Sequence, residues 1–368
     1  MTKNRLISLD AFRGFTIALM IIVNDPGDWD NTFPPLLHAD WHGITLTDFV
    51  FPFFIFIVGV SIVISQKNKG TSSSNSSIIF RSIKIFSLGL FLGLFGEFMH
   101  HVISLGETIP LSDIRIPGVL QRIALVYLFC ALLHNYSTWF HQFSITLILL
   151  IGYYIVMEFI PVPGIGPGIL EPGKNLAAYV DGILIPGSMW QGTWDPEGIL
   201  STFPAIASGI IGMLAGHLII SKQTIEKKII WMYLIGVFCL IDSFIWEWLM
   251  PINKNLWTST YVMYTSGWAF LILASLIWIC DVLKYQSWLK IGIIFGSNSI
   301  AIYALSQLLV WFAYEFLGEN SLNSLIYGGM VNIGVYPKIA SLLWAIFYTF
   351  ICFLPAKYLY DKKIFLKL

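Results

Sequence analysis

The segment from His38 to Asp48 holds the side chains best suited to acid–base chemistry. It contains two histidines, His38 and His42, and two carboxylates that could orient an imidazole, Asp40 and Asp48. Histidine has the ordinary pKa that allows a side chain to accept and return a proton near neutral pH. The two histidines could also bind a metal if the segment were helical, but no third ligand is evident, and we predict no metal. The residues alone leave two interpretations, a general base or an interfacial histidine.

Three arginines in or beside apolar segments could bind an anionic ligand. Arg13 lies three residues after Asp10 and could pair with it on one helix face. Arg115 and Arg122 are two helical turns apart, which predicts a shared face, and Gln121 precedes the second of them. Ionisable groups inside a membrane span are costly and are therefore functional candidates, and a guanidinium can bind phosphate in bidentate fashion. A structural ion pair is the alternative in each case.

The composition places these residues in a membrane protein. Only 11% of the 368 residues are charged and 57% are hydrophobic, whereas an ordinary soluble domain has about 25% charged residues. The apolar residues come in runs of roughly 20, the length that crosses a bilayer as a helix. The formal net charge is zero, which gives no attraction for nucleic acid, and the cysteines form no CxxC pair. The sequence predicts an all-α, polytopic membrane helix bundle.

We predict about ten transmembrane helices within a single domain, 1–368. The first helix is expected to be retained, because Asn24-Asp25-Pro26 is a poor signal-peptide cleavage site. The Pro- and Gly-rich external loop 161–196 is predicted to be a structured connector. The predicted spans are 10–25, 48–66, 78–98, 115–134, 142–160, 197–220, 228–250, 258–281, 289–315 and 337–360.

Loop charges predict the orientation of these spans. With ten spans, fifteen of the 21 Lys and Arg residues fall on the side of the two termini. The positive-inside rule assigns that side to the cytoplasm, so both termini are expected there and the segment around His38 on the opposite side. The six exceptions are Arg13, Arg115, Arg122, Lys174, Lys254 and Lys338.

Several sequence blocks resemble the heparan-alpha-glucosaminide N-acetyltransferase family, and they occur in order along almost the whole chain. They are Arg5–Gly14, Ile22–Asn24, His38–Asp48, Phe51–Gly59, Arg115–Arg122, Tyr179–Asp181, Asp195–Leu200, Asn253–Trp257, Gly296–Ile300 and Lys362–Phe365. The chain looks like a compact homologue of bacterial type. Lysosomal members have a histidine where this chain has Ser306. This difference bears on the identity of the acceptor more than on the type of reaction.

The resemblance implies a transmembrane acyltransferase. In the family, acetyl-CoA from the cytosol gives its acetyl group to the amine of a terminal glucosamine across the membrane. The family's active-site histidine matches His38, which is expected to act as a general base or a transient acetyl carrier. Its asparagine matches Asn24, which could donate a hydrogen bond to the thioester oxygen. Asp48 or Asp40 could orient the imidazole, and no role is carried over for His42.

The expected binding residues form two groups. Those expected to bind acetyl-CoA, as a co-substrate, are Arg13, Gln121, Arg122, Asn298 and Ser299. Those expected to bind an amino-sugar or glycan acceptor are Asp40, Trp41, Asp195, Glu197, Asn253 and Lys254. Aromatic residues make up 16% of the chain, which permits sugar stacking but also suits a membrane interface. The expected partners are membrane lipid and the acceptor, with no nucleic acid, and a homodimer is an open alternative.

Two other functions fit some of the same residues. A transporter or flippase for a glycan or lipid precursor would also place charges and broken helices in the membrane. An inactive relative that only binds a partner is the third candidate. We favour transfer because no internal repeat is visible. In addition, the ionisable residues cluster at the two ends of the spans, with basic residues at the inner end and His and Asp residues at the outer end. The expected location is a bacterial inner membrane, with the site open to the periplasmic or external side.

Overall fold

The structure is a computed structural model that describes residues 6–70, 72–103, 114–287, 289–316 and 318–366. Throughout these ranges the chain is helical or connects helices, apart from a single bridge between Val162 and Gly166. The helices are α1 (Ile7–Asn24), α2 (Val50–Lys69), α3 (Asn75–Ile103), α4 (Val119–Tyr136), α5 (Trp139–Phe159), α6 (Leu176–Leu184), α7 (Thr202–Ile220), α8 (Ile225–Trp246), α9 (Ser259–Ile277), α10 (Lys290–Ser297), α11 (Ser299–Tyr314), α12 (Gly329–Asn332) and α13 (Pro337–Asp361). The predicted all-α class is confirmed.

Nine helices in the described part of the chain are long and apolar enough to cross a membrane. A tenth span results if the bent pair α10 and α11 is counted as one. Each predicted span overlaps one of these helices or the bent pair, so the polytopic helix bundle is confirmed. The side of the membrane on which the termini lie stays a prediction.

The fourth span starts later than its hydrophobicity suggested. Helix α4 begins at Val119 because Pro117 disfavours helical geometry at Ile116 and Gly118 is extended, with φ 173°. Arg115 therefore precedes the helix, and the prediction that it shares a helical face with Arg122 is wrong.

The ninth span is broken. Helices α10 and α11 meet at 84°, and Asn298 is the residue between them. Its backbone, at φ −134° and ψ 39°, is not helical. A break of this kind exposes backbone polar groups at membrane depth, where other parts of the protein must satisfy them.

The chain divides into two compact units, and the first lies within Met1–Ala39, Thr45–Val50 and Leu276–Leu368. In this unit α1 packs against α10 and α13. The α1–α10 contact depends on glycine: a Cβ atom added to Gly14 would lie 1.7 Å from the carbonyl oxygen of Gly292. Small residues let membrane helices approach closely, since lipid supplies no hydrophobic force between them.

The second unit lies within Asp40–Ile44 and Phe51–Ser275. Helix α7 packs against α4 and α5, and α3 packs against α4. The loop 161–196 carries α6 and is anchored by an apolar cluster that includes Tyr153, Leu176 and Leu256. Burial of each such side chain contributes about 1.5–3 kcal/mol, which is consistent with a structured loop.

All four cysteines are buried and unpaired. Cys130, Cys280 and Cys352 have no exposed surface, and Cys239 has 6%. They act as small apolar packing residues, as their positions in the spans predict.

Candidate functional site

In the first unit, His38 is hydrogen-bonded to Asp48. The 3-10 turn Thr47–Phe49 precedes α2 and places Asp48 with only 1% of its side chain exposed. Asp48 Oδ1 lies 2.7 Å from His38 Nδ1, and the imidazole side chain is 44% exposed. A buried carboxylate against Nδ1 favours the tautomer with the proton on that nitrogen. The lone pair is then on Nε2, as a general base requires.

The other carboxylate oxygen of Asp48 is held by backbone donors. Oδ2 accepts hydrogen bonds from the N–H groups of Ala39, at 3.2 Å, and Thr45, at 2.9 Å. The hydroxyl of Thr45 lies 3.1 Å from the same oxygen and 2.6 Å from the carbonyl oxygen of Leu37. These contacts fix both the carboxylate and the loop that carries His38. Sequence analysis left Asp40 and Asp48 as alternative partners of the imidazole, and Asp48 occupies that position.

Asn24 and Asp25 end α1 with opposite exposures. Asn24, predicted to contact the thioester, is exposed. Asp25 follows the last residue of the span and is 5% exposed, and its Oδ2 has no hydrogen-bond partner among the described residues. Burial raises the pKa of Asp25 to about 8. Sequence analysis assigned no role to Asp25, because burial of a carboxyl at a helix end leaves no mark in hydropathy.

Three of the residues predicted to bind acetyl-CoA, Arg13, Asn298 and Ser299, lie near the contact of α1 with α10. Arg13 Nη1 is 3.4 Å from Asp10 Oδ1, as their spacing predicted. A Cβ atom on Gly296 would lie 1.9 Å from the carbonyl oxygen of Asp10, so this part of α1 touches the end of α10. Asn298 and Ser299 follow directly, and both are buried.

In the second unit, Arg115 forms a bidentate ion pair with Asp195. Its Nε and Nη2 each lie 2.7 Å from a carboxylate oxygen, and Nη2 also contacts Glu197. The guanidinium is 5.1 Å from the ring centre of Trp190. Burial would raise the pKa of Asp195, but the hydrogen bonds and charge of Arg115 lower it overall. Asp195 and Glu197, predicted to bind the acceptor, thus hold a loop arginine.

Arg122 is fully buried beside this cluster and clamps the start of α7. Its Nη2 donates to the carbonyl oxygen of Gly198, at 3.0 Å, and contacts the hydroxyl of Ser201. Asp181 holds the same turn from the other side by accepting the Ile199 N–H at 2.8 Å. Burial raises the pKa of Asp181 to about 6, although backbone hydrogen bonds oppose the shift. Two Arg122 nitrogens, Nε and Nη1, have no hydrogen-bond partner among the described residues, and the guanidinium lies 5.2 Å from the ring centre of Trp257.

Gln121 also has a local contact. Its side-chain amide donates to the carbonyl oxygen of Ile116 at 3.0 Å. This bond caps the turn before α4, so Gln121 contributes to the position of Arg122 whether or not it binds a ligand.

Asn253 fixes the backbone around Trp41. Its amide donates to the carbonyl oxygen of Trp41 at 2.8 Å and lies 3.3 Å from His42 Nδ1. The Trp41 indole donates to the Leu170 carbonyl oxygen at 2.8 Å and packs edge-on against Trp194, with ring centres 4.9 Å apart. Burial lowers the pKa of His42. Asn253 thus supports Trp41, which is predicted from the sequence to bind the acceptor.

The comparison with known families decides the relationship of the chain. A family model described as Heparan-alpha-glucosaminide N-acetyltransferase, catalytic, matches residues 5–241. The chain belongs to this family. The matched segment contains His38, Asp48 and the Arg115–Asp195 pair, whereas Asn253 and Asn298 lie beyond it.

Two relatives carry the family name. The chain is 28% identical over 432 aligned residues to "Heparan-alpha-glucosaminide N-acetyltransferase" of Mus musculus, with 100% of this chain and 61% of the relative covered. It is 30% identical over 360 residues to the Homo sapiens protein of that name, with 81% of this chain and 52% of the relative covered. The chain therefore spans between about half and three fifths of these curated relatives.

The structure brings some of the predicted residues together, including residues that were predicted for different ligands. His38 contacts Asp48, Asn253 contacts Trp41, and Arg122 lies with the Asp195 cluster, although it was predicted for acetyl-CoA and Asp195 for the acceptor. Asp40 is exposed and Lys254 is half-buried. No group of three or more His, Cys, Asp or Glu side chains with metal-binding geometry occurs among the described residues.

Proposed function

We propose that this chain transfers an acetyl group from acetyl-CoA to the amine of an amino sugar or glycan on the other side of a membrane. The family membership and the membrane-spanning helices support this proposal. The observation that carries it is the His38–Asp48 hydrogen bond of 2.7 Å, which supplies an oriented imidazole in a segment typical of the family.

In the direct mechanism, His38 is the general base. Nε2 takes a proton from the acceptor amine while the amine nitrogen attacks the thioester carbonyl carbon. The carbon–sulfur bond then breaks, and the imidazolium returns the proton to the departing thiolate, which leaves CoA and the N-acetyl sugar. Asp48 stabilises the imidazolium through Nδ1, and Asn24 donates to the oxygen on which negative charge develops.

In the two-step mechanism, His38 carries the acetyl group. Nε2 attacks the thioester carbonyl and expels CoA as thiolate, so that an acetylimidazolium forms with its Nδ1 proton held by Asp48. The acceptor amine then attacks the acetyl carbon, the neutral imidazole leaves, and the proton lost by the amine passes to the CoA thiolate. Both routes use the same tautomer, which Asp48 favours, and they differ in whether labelled protein accumulates without acceptor.

The remaining residues are proposed to bind the two substrates. Arg13 and Ser299 lie in the unit that contains His38 and are assigned to acetyl-CoA. Trp41, supported by Asn253, is assigned to the acceptor. Gln121, Arg122, Asp195, Glu197, Asp40 and Lys254 keep their predicted roles as proposals. We further propose that both termini face the cytoplasm of a bacterial inner membrane and that the acceptor is bound on the periplasmic or external side.

Acetyl transfer to glucosamine tests the proposal directly. Purified protein is incubated with radiolabelled acetyl-CoA and glucosamine, beside His38→Ala and the matched control His42→Ala. We expect transfer by wild type and by the control, and a loss of about 10²–10⁴ in kcat for His38→Ala. Equal transfer by wild type and His38→Ala would refute the assignment. Rapid denaturation in detergent near neutral pH, without acceptor, distinguishes the mechanisms, since only the two-step route leaves label on the protein and an acetylimidazole hydrolyses quickly in acid.

The broken ninth span favours one rival function, transport of a glycan or lipid precursor. Broken helices at membrane depth often bind transported substrates. Proteoliposomes given labelled glucosamine test this rival. Accumulation of unmodified sugar without acetyl-CoA would favour a transporter, whereas label found only as N-acetyl product would favour transfer.

A further inference from the structure

The chain after α13 folds back as a short segment, which we call the C-terminal strap (Lys362–Leu366). Lys363 adopts a left-handed conformation, φ 55°, that a non-glycine residue rarely takes. Its N–H donates to the carbonyl oxygen of Tyr360 at 3.0 Å, and the N–H of Ile364 donates to that of Leu359 at 2.9 Å. These bonds close the end of α13 as glycine usually does and turn the strap back along the unit.

Asn298, at the break between α10 and α11, binds the strap with both ends of its amide. Its Nδ2 donates to the carbonyl oxygen of Ile364 at 2.9 Å, and its Oδ1 accepts from the N–H of Leu366 at 2.8 Å. Both the oxygen and the nitrogen of the amide are therefore hydrogen-bonded, and Asn298 is 3% exposed. Asn298 was expected to contact acetyl-CoA, but its hydrogen-bonding groups serve the chain's own C-terminal segment.

The strap carries two cations, Lys362 and Lys363. Lys362 and Lys363 are exposed, and neither has an ion-pair partner among the described residues. The neighbouring carboxylate of Asp361 is taken by Lys357, with N–O 2.8 Å. On the other side of the break, Gly296 touches the turn of α1 that bears Arg13. The hydrogen bonds from Asn298 to Ile364 and Leu366, which we call the latch, therefore hold the backbone next to Lys362 and Lys363.

We propose that Asn298 is a positioning residue for the acetyl donor, which latches the strap so that Lys362 and Lys363 bind the phosphate groups of acetyl-CoA. This inference rests on the proposed function. The donor is a thioester on a carrier with several phosphates, and ammonium groups on a fixed backbone bind such groups better than groups on a mobile tail. The two hydrogen bonds between Asn298 and the strap supply that fixed backbone.

A comparison of two acetyl donors distinguishes a positioning role of Asn298 from a merely structural one. Acetyl-pantetheine presents the same thioester as acetyl-CoA but lacks the adenosine phosphates. We expect Asn298→Ala and the double variant Lys362→Gln/Lys363→Gln each to raise KM for acetyl-CoA about tenfold or more, with kcat little changed. KM for acetyl-pantetheine should stay the same. The combined variant should be no worse than the more affected parent, because both changes remove the same contact.

The matched control is Asn323→Ala, an asparagine of the same unit that donates one bond to the carbonyl oxygen of Gly27. Hydrogen exchange of the strap should be faster in Asn298→Ala than in wild type or the control. The lysine variant leaves the latch intact, so it tests the proposal even if Asn298→Ala folds poorly.

Several outcomes would overturn the inference. They are an unchanged KM for acetyl-CoA in the lysine variant, equal losses with both donors, or effects of the two changes that multiply. If wild type transfers acetyl from neither donor, the proposed function fails. Calorimetric binding of CoA to the same variants then tests the latch on its own, with equal affinity of wild type and the lysine variant as the contradicting result.

Discussion

Replacement of Asp48 by asparagine should remove most acetyl transfer while the loop keeps its shape. The single carbonyl oxygen of asparagine should stay on the side of the two N–H donors, Ala39 and Thr45, because turning the amide over would bury unsatisfied donors at about 1–3 kcal/mol each. The amide NH₂ then faces His38 Nδ1 in place of the carboxylate 2.7 Å away. This arrangement favours the proton on Nε2, the nitrogen that must be the base.

The expected loss in kcat is the rate factor that a general base contributes. Such a base contributes about 10²–10⁴ in rate, which corresponds to about 3–5 kcal/mol at 1.36 kcal/mol per factor of ten. Steady-state kinetics should show kcat of Asp48→Asn reduced in this range, with KM for acetyl-CoA nearly unchanged. The double variant with His38→Ala should be no slower than His38→Ala alone, since the carboxylate acts through the imidazole.

Asp28→Asn is the matched control, because it makes the same chemical change in the same loop. Its carboxylate is held by Asn31 and Tyr327, and kcat should stay within a few fold of wild type. The reasoning about the tautomer is refuted if Asp48→Asn keeps more than about a tenth of the wild-type kcat while His38→Ala loses the full factor. Multiplying losses in the double variant would show that the two residues act independently.

Two further predictions concern stability, measured as the melting temperature of the purified protein in detergent. Gly14→Ala should lower it clearly because its Cβ would lie 1.7 Å from Gly292 O, whereas the matched control Gly93→Ala, with nothing within 4 Å, should not. Asp195→Asn should cost about 3 kcal/mol at pH 7 by removing the main carboxylate partner of Arg115. The pKa of Asp195 is lowered from 3.8, so its stabilisation is present above pH 3.8 and lost as pH falls through the lower value, and the variant should lack this acid dependence.

Hydropathy was enough to locate the spans because a membrane helix needs a long apolar segment wherever it packs. It could not locate the break at Asn298, since residues 289–315 are apolar on both sides of it. At the break, the side chain of Asn298 is hydrogen-bonded to residues more than sixty positions later. Hydropathy also places the start of the fourth span too early, although Pro117 disfavours helical geometry at the residue before it.

The site was predictable in its residue types but only partly in its contacts. The proximity of His38 and Asp48 in the sequence made their hydrogen bond a reasonable expectation. Long-range contacts were different, because nothing local to Asp195 indicates Arg115 and nothing local to Asn253 indicates Trp41. A polar residue in an apolar segment signals a constraint, but its partner determines whether it binds a ligand or supports a loop.

The burial of all four cysteines makes the chain suitable for site-directed thiol labelling without prior removal of native cysteines. Water-soluble maleimides should react slowly with the wild type, so one introduced cysteine would dominate the signal. His42→Cys and Lys363→Cys, labelled in intact cells and again after permeabilisation, would report the membrane side of the loop and of the strap. The close packing that removes these thiols from solvent thus provides a low background for mapping the topology that the proposed transfer requires.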